Sequence, residues 1–139
     1  MRFERELGVA DSLFAYGTLQ FPQVLIHLLE RCPALEPVAV SGWRAAALPG
    51  RVYPGLVPAT DSVTPGVLLT GLTAAEWRIL DAFEDDEYDL RTVEVHPGGR
   101  TAMTYVWTAP VSEQTWYSEE FAAAHLAAFV TRCARSKYR

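Results

Sequence analysis

Residues 73–88 read TAAEWRILDAFEDDEY, which divides into an amphipathic helix and an acidic turn. Thr73, followed three residues later by Glu76, forms a capping box that marks the start of a helix. Helical spacing then puts Trp77, Leu80 and Glu84 on one stripe, because they are separated by three and four residues. Five of the seven residues 81–87 are carboxylates, at the helix end that already carries the negative end of the helix dipole.

These carboxylates are not equivalent. Glu84 shares its stripe with Trp77 and Leu80 and is predicted to face inward, whereas Asp81 and Asp85 share a stripe with Arg78 and are predicted to be solvated. Lost hydration, neighbouring negative charge and the helix C-terminus all favour the neutral form of Glu84 and are expected to raise its pKa, as a proton shuttle requires. The alternative is a solvated helix exit with Glu84 at its edge, and local pattern alone leaves both possibilities open.

The segments around this helix predict the fold class. Residues 13–16 form an apolar run that stops at Gly17, typical of a buried strand, and a helix opens at Phe21 and Pro22. Further strands are predicted at residues 38–48, 52–57, 66–72, 91–95 and 101–107, and a last helix at residues 118–134 with Ser118 as its cap. This order predicts an α+β protein: a small, mostly antiparallel β-barrel or curled sheet flanked by helices.

The turn Tyr16, Gly17, Thr18, Leu19 lies between the first strand and the first helix. A glycine at such a junction lets successive backbone N–H groups converge on a small concavity suited to an anion. The turn is not a phosphate loop, because a second glycine and a Lys-Ser/Thr pair are missing, so a carboxylate or a developing oxyanion is the better guest. A purely structural strand-to-helix turn is the alternative.

Composition and charge exclude several classes of protein. The 139 residues are expected to form one domain, 1–139, with half of them hydrophobic. The net charge of −5 argues against a nucleic-acid partner, since the main basic run, residues 132–139, is at the terminus. The charged start MRFERELGVADS does not resemble a signal peptide, and no apolar run reaches membrane-spanning length, so a cytoplasmic protein without a membrane partner is expected.

Metal, disulfide and nucleophile sites find little support in the sequence. Cys32 and Cys133 are far apart and are expected to be free thiols, and the three histidines, His27, His96 and His125, lack metal-ligand spacing. No serine lies in a nucleophile elbow, and no second carboxylate lies across an identifiable groove as a glycosidase needs. We therefore expect no metal and no cofactor.

Four motifs in order resemble the γ-glutamylcyclotransferase-like family, especially its AIG2-like branch. They are YGTL after the first strand, RVYPGLVPA, GVLLTGLTAAEWRILDAFEDDEYDLRTVEV, and MTYVW before the last helix. The resemblance covers roughly residues 12–131. The short YGTL would recur by chance, whereas LDAFE followed by DDEY at that distance downstream is specific.

The resemblance implies a small β-barrel flanked by helices, and an enzyme that cyclises a γ-glutamyl group to 5-oxoproline and releases the attached amine or amino acid. The catalytic glutamate of the family falls on Glu84. Its glutamyl-binding loop falls on Tyr16, Gly17, Thr18 and Leu19, and Tyr88 and Tyr105 are implied as pocket walls or hydroxyl donors. Asp85 departs from the family, which often has glycine there, and Arg91 follows Tyr88 by three places where some relatives have two.

The implied reaction needs no cofactor. The substrate's α-ammonium would lose a proton to Glu84 before its nitrogen attacks the γ-carbonyl, and the same acid would return the proton to the leaving nitrogen. A competing interpretation is a member of the same fold that binds a small molecule or a protein without turnover. The leaving group stays open among a free amino acid, a polyamine, a modified lysine and a specialised metabolite, and the sequence does not give the oligomeric state.

Overall fold

The computed structural model describes residues 12–137, with side chains through residue 133. In chain order its elements are β1 Leu13–Ala15, a 3-10 turn Thr18–Gln20, α1 Pro22–Leu29, β2 Ala34–Ala47, β3 Pro54–Thr70, α2 Ala74–Phe83, β4 Tyr88–Val95, β5 Arg100–Trp107, α3 Ser118–Ala124 and α4 Leu126–Lys137. The expectations for residues 1–11, and for the end of the basic run at 132–139, lie outside the described residues.

The five strands form one curled sheet in the order β2, β3, β1, β5, β4. The β2–β3, β1–β3 and β4–β5 pairs are antiparallel, and β5 also pairs in parallel with β1 and with β3. A single antiparallel bridge between Ala39 and His96 joins β2 to the residue after β4, so the sheet curls without closing along its length. The predicted α+β fold with a mostly antiparallel, curled sheet and flanking helices is confirmed.

The prediction of two separate strands at residues 52–57 and 66–72 is wrong, because a single long strand, β3, covers most of both ranges. Pro58, Ser62 and Pro65 lie between the two predicted strands and are of the residue types that usually separate strands. Within β3, Asp61 adopts φ 71°, a left-handed conformation that aspartate tolerates, and the β2–β3 register shifts opposite it between Ser41 and Trp43. The strand bends at this irregularity and continues.

The predicted last helix is also corrected. It is two helices, α3 and α4, separated at His125, whose φ of −131° is not helical. The N-cap is Tyr117 rather than Ser118, and no side chain caps α3. The earlier helices follow the sequence more closely, since α1 begins at Pro22 and α2 has the predicted capping box between Thr73 and Glu76.

The hydrophobic core has two parts, one on each face of β1. Phe14 points into the curled sheet and packs with residues such as Val40, Leu56 and Val95. Its neighbours Leu13 and Ala15 point to the opposite face, where the helices cover the sheet. Trp77 and Leu80 of α2 are 1% and 0% exposed in this second layer, so this face fixes α2 on the sheet.

Among the described residues, none of the helices has both the length and the apolar character that crossing a bilayer requires.

Candidate active site

A pocket of about 210 Å³ opens between the turn after β1, the end of α2 and the side of α4. It is lined by all seven residues that the sequence singled out: Tyr16, Gly17, Thr18, Leu19, Glu84, Tyr88 and Tyr105. Drug-sized ligands occupy pockets of roughly 300 to 1,000 Å³, so this one suits a group the size of one amino acid. The structure brings the predicted residues together, and their catalytic and binding roles stay predictions.

The floor of the pocket is the turn at residues 16–19. The chain leaves β1 and enters the 3-10 turn, in which the N–H of Gln20 donates to the carbonyl of Gly17 at 3.2 Å. The N–H groups of Thr18 and Leu19 lie in the first turn, where helical geometry supplies no acceptor. Gly17 is needed because a Cβ there would lie 2.9 Å from Cγ of Pro54.

Glu84 reaches the pocket because α2 ends just before it. Its N–H still donates to the carbonyl of Leu80 at 3.1 Å, but its backbone is extended, with φ −78° and ψ 147°. The side chain is partly buried and lines the pocket, whereas its predicted stripe partners Trp77 and Leu80 are core residues. The predicted stripe of Trp77, Leu80 and Glu84 therefore indicated the side of α2 that faces the core and the pocket, although Glu84 itself lies just beyond the helix.

The expectation that Asp81 and Asp85 are solvated is met only in part, although the side chain of Asp85 is still 37% exposed. Both are partly buried, and each accepts a hydrogen bond from a tyrosine: Asp81 from Tyr105 at 2.6 Å, and Asp85 from Tyr53. Asp85 also lies 3.6 Å from the guanidinium of Arg51. Helical spacing could not predict this outcome, because both tyrosines come from the sheet side of the fold.

The pocket tyrosines direct their hydroxyl protons to protein acceptors. Tyr16 donates to the carbonyl of Tyr105 at 2.6 Å and accepts from the N–H of Leu56 at 3.1 Å. Tyr88 donates to the carbonyl of Pro54 at 2.5 Å. A phenol has one proton, and in this arrangement those of Tyr88 and Tyr105 are directed to Pro54 and Asp81.

Burial raises the pKa of three tyrosines that line the pocket. It is the main reason that the pKa of Tyr16 lies well above its ordinary value, with the negative charge of Glu84 as the second cause. The pKa of Tyr88 is raised for the same first reason, with Tyr16 and Glu84 adding to the effect. Burial and then the bond to Asp85 raise the pKa of Tyr53 to about 12. These phenols therefore stay protonated near neutral pH.

Several pocket residues were missed by the sequence reasoning. Tyr53 and Pro54 come from the RVYPGLVPA motif, which carried the resemblance but was given no role, and that motif was the available signal. Phe83 directly precedes Glu84, so the helix pattern that pointed to Glu84 could also have indicated Phe83. Phe129 lies on α4 and lines the pocket from there. The rings of Phe83 and Phe129 meet edge to face at 6.1 Å and form an apolar side of the pocket.

Two further residues of α4, Arg132 and Cys133, also line the pocket. Arg132 is exposed, and its guanidinium lies 5.2 Å from the ring centre of Phe129. Cys133 is buried, which raises the pKa of its thiol to about 11. The thiol is therefore protonated near neutral pH and is a weak nucleophile. Among the described side chains, no three His, Cys, Asp or Glu residues are grouped so as to hold a metal ion.

Comparisons of the sequence with known proteins point to one family. Residues 13–123 match the family described as gamma-glutamyl cyclotransferase, AIG2-like. AIG2-like protein C of Arabidopsis thaliana is 42% identical over 102 residues, which are 70% of this chain and 59% of that protein. The chain thus spans less than two thirds of that relative.

Solved structures share the fold. A solution structure from Arabidopsis thaliana superposes with a TM-score of 0.67 at 30% identity, covering 87% of this chain and 86% of the other. A structure named gamma-glutamyl cyclotransferase superposes with a TM-score of 0.59, covering 88% of this chain and 85% of the other. Its identity of 14% limits the second likeness to the fold.

Proposed function

The chain belongs to the gamma-glutamyl cyclotransferase, AIG2-like family, and from this premise we propose that it cyclises a γ-glutamyl group to 5-oxoproline and releases the attached amine or amino acid. One observation carries the proposal: Glu84 and the turn at residues 16–19 line the same small pocket. A general base and a set of main-chain donors are the two parts that this cyclisation needs.

Substrate binding begins at the turn. The backbone N–H groups of Thr18 and Leu19 bind the α-carboxylate of the γ-glutamyl group, or the oxyanion that forms from its γ-carbonyl. Tyr88 and Tyr105 form walls that hold the flexible glutamyl chain folded, with its amine close to its own carbonyl. The attack is intramolecular, so correct positioning supplies much of the rate acceleration.

Proton transfer is the task of Glu84. Its carboxylate takes a proton from the α-ammonium, and the freed nitrogen attacks the γ-carbonyl carbon to form the new C–N bond of the ring. When the tetrahedral intermediate collapses, the bond between that carbon and the leaving nitrogen breaks. Glu84 returns this first proton to the leaving nitrogen and then takes the second proton of the ring nitrogen, which passes to the released amine, so no water or cofactor is consumed. The pocket tyrosines are already protonated, and burial raises the pKa of Tyr16 and of Tyr88 further, so they do not accept these protons.

The test is release of 5-oxoproline from a library of γ-glutamyl amines and γ-glutamyl amino acids. Replacing Glu84 by Gln keeps the shape of the side chain but removes the base, and we expect the rate to fall by roughly 10²- to 10⁴-fold. Asp86→Asn is the matched control, since Asp86 is an exposed acid in the same turn, and it should retain the wild-type rate. Equal activity of wild type and Glu84→Gln would refute the assignment of Glu84.

A further inference from the structure

Tyr105 connects the two halves of the pocket. Its hydroxyl donates to Oδ1 of Asp81 on α2 at 2.6 Å, and its backbone carbonyl accepts from the hydroxyl of Tyr16 at 2.6 Å. Asp81 lies three residues before Glu84, and Tyr16 begins the turn on the pocket floor. Through one buried residue of β5, the end of α2 is therefore bonded to the turn after β1.

The position of Glu84 depends on the last turn of α2. Glu84 is the first residue after the helix, and its N–H bonds back to Leu80 within that turn. The core side chains Trp77 and Leu80 fix the helix on the sheet, but apolar packing has little directional preference. A short hydrogen bond from a phenol to a carboxylate is directional and stronger than one between neutral groups.

We infer that Asp81 is a positioning residue: by holding the hydroxyl of Tyr105, it sets the distance between Glu84 and the turn at residues 16–19. The inference rests on the proposed function, because this distance is the one between the base and the bound α-carboxylate. A displacement of about 1 Å at such a site can cost roughly 100-fold in rate. Asp81 itself does not line the pocket, so it acts through Tyr105 and Glu84 rather than on the substrate.

The experiment separates kcat from KM for three variants: Asp81→Ala, Tyr105→Phe and the double variant. With a γ-glutamyl compound that the wild type converts, we expect either single change to lower kcat roughly 10- to 100-fold and to leave KM within about threefold, since the anchoring turn is intact. The double variant should be no slower than the slower single variant, because both changes break one bond. Asp81→Asn keeps an acceptor oxygen for Tyr105 and should restore most of the rate.

Glu76→Gln is the control for a merely structural role. Glu76 lies on the same helix, where it pairs with Arg31 at 2.6 Å and completes the capping box at the far end from the pocket. This variant should have a lower melting temperature than wild type but the same kcat.

Three results would overturn the inference. They are an equal kcat in Asp81→Ala and wild type, an equal loss of kcat in Glu76→Gln, and additive losses of kcat in the double variant. A wild type that converts no γ-glutamyl compound would overturn the proposed function and the inference with it. If Asp81→Ala fails to fold, a kcat of Tyr105→Phe equal to that of wild type would overturn the inference, because this change removes only the oxygen that bonds to Asp81.

Discussion

Gly17 combines two demands at one residue: the chain must turn out of β1, and the ring of Pro54 must pack against the turn. A Cβ on Gly17 would approach Cγ and Cδ of Pro54 to 2.9 and 3.0 Å. Contacts this short force one of the two backbones to move. Since both Gly17 and Pro54 line the pocket, the movement would change its floor.

We therefore predict that Gly17→Ala lowers the free energy of unfolding by about 1 to 3 kcal/mol, the usual cost of overpacking, and raises KM for a γ-glutamyl substrate. Urea unfolding and steady-state kinetics measure the two effects. The double variant Gly17→Ala with Pro54→Ala removes the ring that the new methyl group meets, and it should recover part of both losses. An unchanged stability and KM in Gly17→Ala would show that the close packing of this turn is unimportant.

Tyr53, Asp81 and Asp85 show why the sequence predicted the pocket only in part. Trp77 and Leu80 pointed to Glu84 because they lie close to it in the sequence, on the helix that ends just before it. The bonds from Tyr105 to Asp81 and from Tyr53 to Asp85 join residues 24 and 32 positions apart, so no local pattern contains them. Both aspartates were assigned to solvent because their partners come from other elements.

At the level of elements, the helix boundaries that involve a specific side-chain bond were predicted well. Thr73 accepts from the N–H of Glu76 at 3.1 Å, and Glu76 accepts from the N–H of Thr73, so the capping box in the sequence is the start of α2. Ser118 was assigned as a cap by residue type alone. In the structure Tyr117 holds the cap position and Ser118 is the first residue of α3.

This contrast gives a prediction with an internal control. Thr73→Ala should lower the free energy of unfolding by about 1 kcal/mol, the usual cost of losing an N-cap side chain. Ser118→Ala should change it by less than about 0.5 kcal/mol, because Ser118 is only partly buried and no side chain caps α3. Urea unfolding of both variants against wild type is the measurement. Equal losses would mean that Ser118 caps α3 in solution, and no loss in Thr73→Ala would mean that the box at α2 is dispensable.

The two incorrect boundaries have a common cause. Residues 58–65 contain two prolines and an aspartate, and residue 125 is a histidine inside a regular apolar pattern. Local preference predicts a break in the first case and continuity in the second. The long pairing of β3 with β2 overrides the first preference, and β3 continues through its bend. At His125 a φ of −131° interrupts the helix, and Phe121 before it and Phe129 after it are both buried, with their rings 5.6 Å apart.

At the level of the whole molecule, the curled sheet explains why distant motifs meet. β1 lies in the middle of the sheet, between β3 and β5, so the turn that follows it ends beside Pro54 of β3 and Tyr105 of β5. The helix that carries Glu84 packs on the same side through Trp77 and Leu80. The order of motifs in the sequence predicted these elements, whereas their convergence on one pocket follows from the strand order.

Ligand binding by a variant that lacks the base can distinguish an enzyme from a binding protein of the same fold. In Glu84→Gln the turn at residues 16–19 and the tyrosine walls are unchanged, so a γ-glutamyl compound should still bind but should not be consumed. A ligand at 100 times its Kd stabilises the folded state by about 2.7 kcal/mol, which a thermal melt readily detects. We predict that the γ-glutamyl compound that the wild type converts fastest raises the melting temperature of Glu84→Gln. The same compound should not raise the melting temperature of the double variant Glu84→Gln with Gly17→Ala, because the floor of the pocket is displaced.

If wild type itself is stabilised by γ-glutamyl compounds and releases no 5-oxoproline from them, the protein is a binder. If neither wild type nor Glu84→Gln is stabilised, the pocket does not recognise a γ-glutamyl group.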